Sequence, residues 1–145
     1  MNYLILILNI ILCIYLFYCT ICDIKTNTVS LKCSLLTILL LLFLRFLFGI
    51  FYIDDFIISI LPGTFILFMG IITHQSIGYG DGIVFIVSGI ALGKDYILLL
   101  VLGAFIFSSV YSLFLLAKRK SGKTTIPFVP FIFMSYFFII ILILI

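Results

Sequence analysis

The chain has 145 residues, 66% hydrophobic and only 9% charged, with a net charge of +3 and a mean hydropathy of +1.54. A soluble domain carries roughly a quarter charged residues, and in water this composition would expose large, aggregating apolar patches. It excludes a soluble enzyme, a disordered chain and a basic-faced nucleic-acid binder, and it assigns the chain to a bilayer.

A helix crossing about 30 Å of hydrocarbon needs about 20 apolar residues. Asn2 to Cys22 is an uncharged run of that length, followed by the polar break Asp23-Ile24-Lys25-Thr26-Asn27-Thr28. Cys33 to about Ile53 forms a second span, interrupted by Arg45 and closed by Asp54-Asp55. Phe56 to Thr73 forms a third, and His74-Gln75-Ser76 then opens the glycine-rich break Gly78-Tyr79-Gly80-Asp81-Gly82. Ile83 to Gly93 is only 11 residues, about 16 Å of helix. To cross, the fourth helix must begin near Ile77, which sets Asp81 about one turn inside it. Lys94-Asp95 reads as a turn, Tyr96 to Ala117 as the fifth span, and Ile126 to Ile145 as the sixth. The expected fold is all-α, a polytopic integral membrane bundle of six transmembrane helices forming a single domain over residues 1–145.

Basic residues collect in cytoplasmic loops. If the loops after helices one, three and five are cytoplasmic, they hold Lys25, Lys32, Lys118, Arg119, Lys120 and Lys123, against Lys94 alone on the other side. The N terminus is then outside. No cleaved signal peptide is expected, because the first run lacks a basic n-region and a small-residue cleavage site. Cys13, Cys19, Cys22 and Cys33 read as small buried hydrophobes. Cys19-x-x-Cys22 has no second pair and no nearby His, so no metal site is expected.

Topology divides the five acids. Asp54, Asp55 and Asp95 read as solvated charges in outer turns. Asp23 and Asp81 fall at the cytoplasmic ends of helices one and four. The helix dipole favours an acid at an N terminus but not at a C terminus, so Asp23 needs another reason to be where it is. An ionisable group at membrane depth is by default a functional-site hypothesis. Two carboxylates meeting there suggest an aspartic protease pair, in which one proton is shared because like charges about 3 Å apart cannot both ionise. Such a pair needs no metal or cofactor. Gly78-Tyr79-Gly80-Asp81 is a GxGD sequence whose glycines let a substrate backbone approach the carboxylate; the same glycines also suit a flexible turn or a helix-packing surface.

With these residues in hand, the sequence resembles the type IV prepilin peptidase family of GxGD aspartic proteases, in the short form that lacks a methyltransferase domain. Three segments carry the resemblance in order: Asp23-Ile24-Lys25-Thr26-Asn27-Thr28-Val29, Gly78-Tyr79-Gly80-Asp81, and Ile126-Pro127-Phe128-Val129-Pro130-Phe131. The chain departs from the family pattern at Ser30-Leu31, where Pro-Asn is usual, and at Ile83, where Lys is usual. There is no loop with paired CxxC motifs, so the resemblance implies cleavage without methylation. It implies Asp23 and Asp81 as catalytic residues, Gly78 and Gly80 as support for the catalytic loop, and Pro127 and Pro130 as a possible helix-six motif. The implied substrate is a pilin-like precursor with a basic leader and an apolar helix, cut at their junction on the cytoplasmic face of the cell membrane. Membrane lipids are the other partners, with no nucleic acid. The alternative reading is a non-catalytic membrane scaffold or a small cation or proton transporter using the same two acids.

The remaining distinctive residues have plainer readings. His74 is an interfacial polar residue at a helix end, and Arg45 snorkels outward or meets Asp54 or Asp55. Pro127 and Pro130 suit a first helical turn. Gly89-Ile90-Ala91-Leu92-Gly93 has the spacing of a helix-packing motif. The run Lys118 to Lys123 is a positive-inside anchor near anionic lipid.

Overall fold

A computed structural model describes residues 3–49, 52–73, 78–118 and 126–144. His74, Ile77, Arg119, Lys120 and Lys123, singled out above, lie outside the described residues. Among the described residues the fold is all-helical, with six helices and no strand. They are α1 (Tyr3–Thr26), α2 (Leu31–Leu47), α3 (Ile53–Ile72), α4 (Tyr79–Leu92), α5 (Lys94–Ala117) and α6 (Val129–Leu144). Three of them, α1, α3 and α5, are long and apolar enough to cross a membrane. Their outward faces are Ile, Leu and Phe side chains that stay exposed in the isolated protein, as a surface facing hydrocarbon requires.

Helix α4 is the centre of the bundle. It packs on α1, α2, α3 and α5, and Val84, Phe85, Val87, Ser88, Gly89, Ile90 and Ala91 are buried. Its 14 residues rise about 21 Å, which is shorter than a full crossing. It starts at Tyr79, so Asp81 is in its first turn. The space beyond that turn is a cavity, described below.

Glycine sets how closely the helices approach. A Cβ on Gly63 would fall 2.6 Å from the backbone nitrogen of Ile86, and one on Gly82 would fall 2.9 Å from that of Leu67. Gly89 likewise lies against the backbone of Ser59. Thus α3 and α4 are knit together backbone to backbone; of the expected packing motif Gly89 meets α3, whereas Gly93 lies in the turn that ends α4. A second pair is joined by Gly103 of α5 against Ser135 of α6, whose hydroxyl donates to the Leu100 carbonyl at 2.9 Å.

Several boundaries differ from expectation, each for a local reason. Helix α2 ends at Leu47 and is followed by Gly49 at φ +66, rather than running to Ile53. Asp54 and Asp55 therefore open α3, where the dipole favours acids. Lys94-Asp95 is the first turn of α5, because Gly93 at φ +77 makes the whole reversal alone. Helix α1 continues through Asp23 to Thr26, and Asn27 at φ +50 then terminates it. Helix α6 starts at Val129, not Ile126, so Pro130 lies in its first turn and Pro127 precedes it.

At the bundle end away from Asp81, Arg45 meets Asp55, with Nη1 donating to Oδ2 at 3.0 Å. The other Asp55 oxygen accepts the backbone N–H of Lys94 at 3.2 Å. Asp55 is thus an ion-pair partner and a cap on α5 rather than a solvated loop charge. Asp54 and Asp95 are exposed, as expected. The four cysteines are free; Cys19 is buried and the other three are half-buried.

Candidate active site

Asp23 belongs to the last turn of α1 and is only 6% exposed. Its Oδ2 accepts the backbone N–H of Val129 at 2.9 Å. Val129 is the first residue of α6, and the first turn of a helix holds N–H groups with no intrahelical partner. This resolves the unfavourable position of an acid at a helix C terminus. Asp23 ends α1 but is received by the positive end of α6. The prolines on either side sharpen the arrangement, since neither Pro127 nor Pro130 has an N–H to compete for the carboxylate.

Asp81 is half-buried at the start of α4. Its own N–H bonds back to the Gly78 carbonyl at 3.1 Å, closing the first turn. A Cβ on Gly78 would fall 3.0 Å from Asp81 Oδ2, so the bare backbone of Gly78 leaves the carboxylate its space. A Cβ on Gly80 would fall 2.8 Å from Cγ2 of Val29. Gly80 therefore lets the α4 start touch the segment joining α1 to α2. Gly78 thus lies beside the carboxylate and Gly80 beside the segment that follows Asp23.

The two carboxylates line one cavity of about 1080 Å³. They arrive from positions 58 residues apart in sequence. The lining is largely apolar and aromatic, with Asn27 and Thr28 adding polar groups from the segment that follows Asp23. Phe128 sits between Phe85, at 6.1 Å between ring centroids, and Phe105, at 5.5 Å, and all three line the cavity. Phe128 belongs to the helix-six motif, whereas Phe85, Phe105 and Met69 were not singled out from sequence. In a chain with 17 Phe, nothing marks which ones face a cavity. Pro62, also in the lining, did carry a signal, being a proline inside an apolar run. Among the described residues no group of three or more His, Cys, Asp or Glu side chains comes together as a metal site.

A family model for the type IV leader peptidase family matches residues 10–113, well over half of the chain and including both Asp23 and Asp81. The chain belongs to the type IV leader peptidase family. The match ends before α6, so the segment bearing Pro127 and Pro130 lies beyond it. No curated protein and no solved structure matches the chain significantly. With its apolar helices, family membership makes this a multi-pass membrane protein with a leader-peptidase type of function.

Proposed function

We propose that this chain is an intramembrane aspartic endopeptidase that removes the basic leader of pilin-like precursors at the cytoplasmic face of the cell membrane. The observation that carries this reading is the convergence of Asp23 and Asp81 on one cavity, in a chain of the leader peptidase family. The largely apolar lining agrees with a substrate that carries an apolar helix. The basic residues, six on that side against Lys94 and Arg45 on the other, support a cytoplasmic position for that end of the bundle, and residues 1–145 act as a single peptidase domain.

The pair works with one proton between its two carboxyl groups. The ionised group takes a proton from water as the water oxygen bonds to the scissile carbonyl carbon, while the protonated group gives its proton to the carbonyl oxygen. In the collapse, the carbon–nitrogen bond breaks. The nitrogen leaves with a proton from one carboxyl group, and the diol returns one to the other. One water is consumed, and the pair again holds one proton. Val129 N–H fixes the Asp23 carboxylate, Gly78 leaves the Asp81 carboxylate its space, and Gly80 lets the start of α4 close on Val29 in the segment that follows Asp23. The departures at Ser30, Leu31 and Ile83 leave both carboxylates in place.

Co-expression with candidate pilin-like precursors tests the reading. Leader removal, seen as a gel shift and verified by the mass of the new N terminus, is the expected result. Unprocessed precursor with every candidate overturns it.

A further inference from the structure

Helices α3 and α5 are joined at one end, and toward the other both wall the cavity. At one end Asp55 of α3 caps α5 through Lys94 N–H while also holding Arg45. Toward the carboxylates, the residues on the two sides of the seam line the cavity instead: Phe65 from α3, and Leu102 and Phe105 from α5. These three keep large exposed areas, 56%, 52% and 47%, whereas Phe85 in the same lining is wholly buried. The cavity that holds Asp23 and Asp81 is therefore walled by exposed apolar side chains of both α3 and α5.

The construction around the seam is asymmetric. Gly63, Gly82 and Gly89 bind α3 tightly to α4, and Gly103 with Ser135 binds α5 to α6. The seam divides these two knit pairs. Halfway along α3, Pro62 lines the cavity and lacks the N–H that would bond to the carbonyl of Ile58. That is where a helix yields most easily.

We infer that the seam between α3 and α5, bounded by Phe65, Leu102 and Phe105, is the lateral route by which the apolar helix of a membrane-inserted precursor reaches the Asp23–Asp81 pair. The inference rests on the peptidase reading and adds the route to it. A transmembrane helix cannot come to the carboxylates from water, because its apolar residues would have to leave the hydrocarbon. It must cross the bundle wall sideways. The α3–α5 seam meets that need with exposed apolar side chains that wall the cavity of the carboxylates. Phe105, stacked on Phe128, couples the outer lip to the segment that supplies Val129 N–H to Asp23.

The test is photocrosslinking in membranes, with benzoylphenylalanine placed in turn at Phe65 and Phe105, and at the exposed controls Phe43 on α2 and Phe138 on α6. Each is made in the full-length Asp81→Asn chain to retain uncut precursor, and the unsubstituted chain is assayed in parallel for cleavage. Adducts to the precursor helix from Phe65 and Phe105, several-fold above those from Phe43 and Phe138, are expected. Equal yields at all four positions, or stronger adducts from Phe43 or Phe138, overturn the seam while cleavage by the unsubstituted chain leaves the peptidase reading standing. Absence of cleavage by the unsubstituted chain overturns the peptidase reading and the route with it. A second variant, Leu102→Trp, narrows the seam without touching a carboxylate. It is expected to raise KM for the whole precursor several-fold more than KM for a short soluble peptide across the junction; an equal rise for both, or none for the precursor, counts against the route.

Discussion

Gly78 and Gly82 stand one helical turn apart but meet different surroundings, and substitution separates their parts. A methyl group at position 82 would press on the Leu67 backbone, with its nitrogen 2.9 Å away. Overpacking of that kind costs about 1–3 kcal/mol. Gly82→Ala is expected to lower the thermal unfolding temperature of the detergent-solubilised protein. A methyl group at position 78 meets only the Asp81 carboxylate, at 3.0 Å, so Gly78→Ala is expected to slow cleavage while leaving the unfolding temperature near the wild-type value. Arg45 offers a stability test at the other end. Its side chain is 7% exposed and that of Asp55 21%, and removing one partner of a buried pair costs about 3 kcal/mol. Arg45→Ala should therefore unfold well below wild type, whereas Asp54→Asn, at an exposed position, should match wild type in stability and cleavage.

At the scale of elements, the decisive contact is between the end of α1 and the start of α6. It joins residues 106 positions apart through Val129 N–H and Asp23 Oδ2. Proline is well suited to a first helical position, so Val129→Pro deletes the donor and keeps the helix start, while Val129→Ala keeps the donor and trims the side chain. A hydrogen bond to a charged group contributes about 1.5–3 kcal/mol, so Val129→Pro should cut cleavage by about tenfold or more. Val129→Ala, assayed beside it, should be much less impaired; equal losses would mean that the side chain and not the N–H matters. The existence of the helices was legible in the sequence, because uninterrupted apolar runs in a 66% hydrophobic chain have few other solutions. Their ends were less so. Lys94-Asp95 and Asp54-Asp55 look like loop charges by polarity, yet each opens a helix, since one positive-φ glycine at 93 or 49 lies just before it or near it. The two acids and the glycines around Asp81 were legible as local motifs. The Val129 donor was not, because a backbone N–H leaves no trace in sequence. Nor was the choice of Phe85 and Phe105 among so many phenylalanines. The Arg45–Asp55 pair was foreseen as one of three options, beside outward snorkelling and a pair with Asp54, and only packing decides among them.

For the whole molecule, a pair of interacting carboxylates titrates as a unit, and its working form holds one proton. Cleavage is therefore expected to follow a bell-shaped pH profile. It falls on the acid side when the ionised partner gains a proton, and on the alkaline side when the shared proton is lost. A profile with a single limb, measured with docking shown not to limit the rate, would count against the pair. The two-carboxylate mechanism also calls for no divalent ion, so EDTA is expected to leave the rate unchanged, and rescue of an EDTA-treated sample by a metal would point to different chemistry. The central claim is that Asp23 and Asp81 together make the catalytic pair. The most direct measurement is cleavage of one membrane-inserted precursor by the purified, reconstituted chain and by its Asp23→Asn, Asp81→Asn and Asp95→Asn variants, each first verified to insert and fold. Loss of cleavage in the first two, with Asp95→Asn at the wild-type rate, is the result predicted here; retention of cleavage by either Asp23→Asn or Asp81→Asn would contradict it.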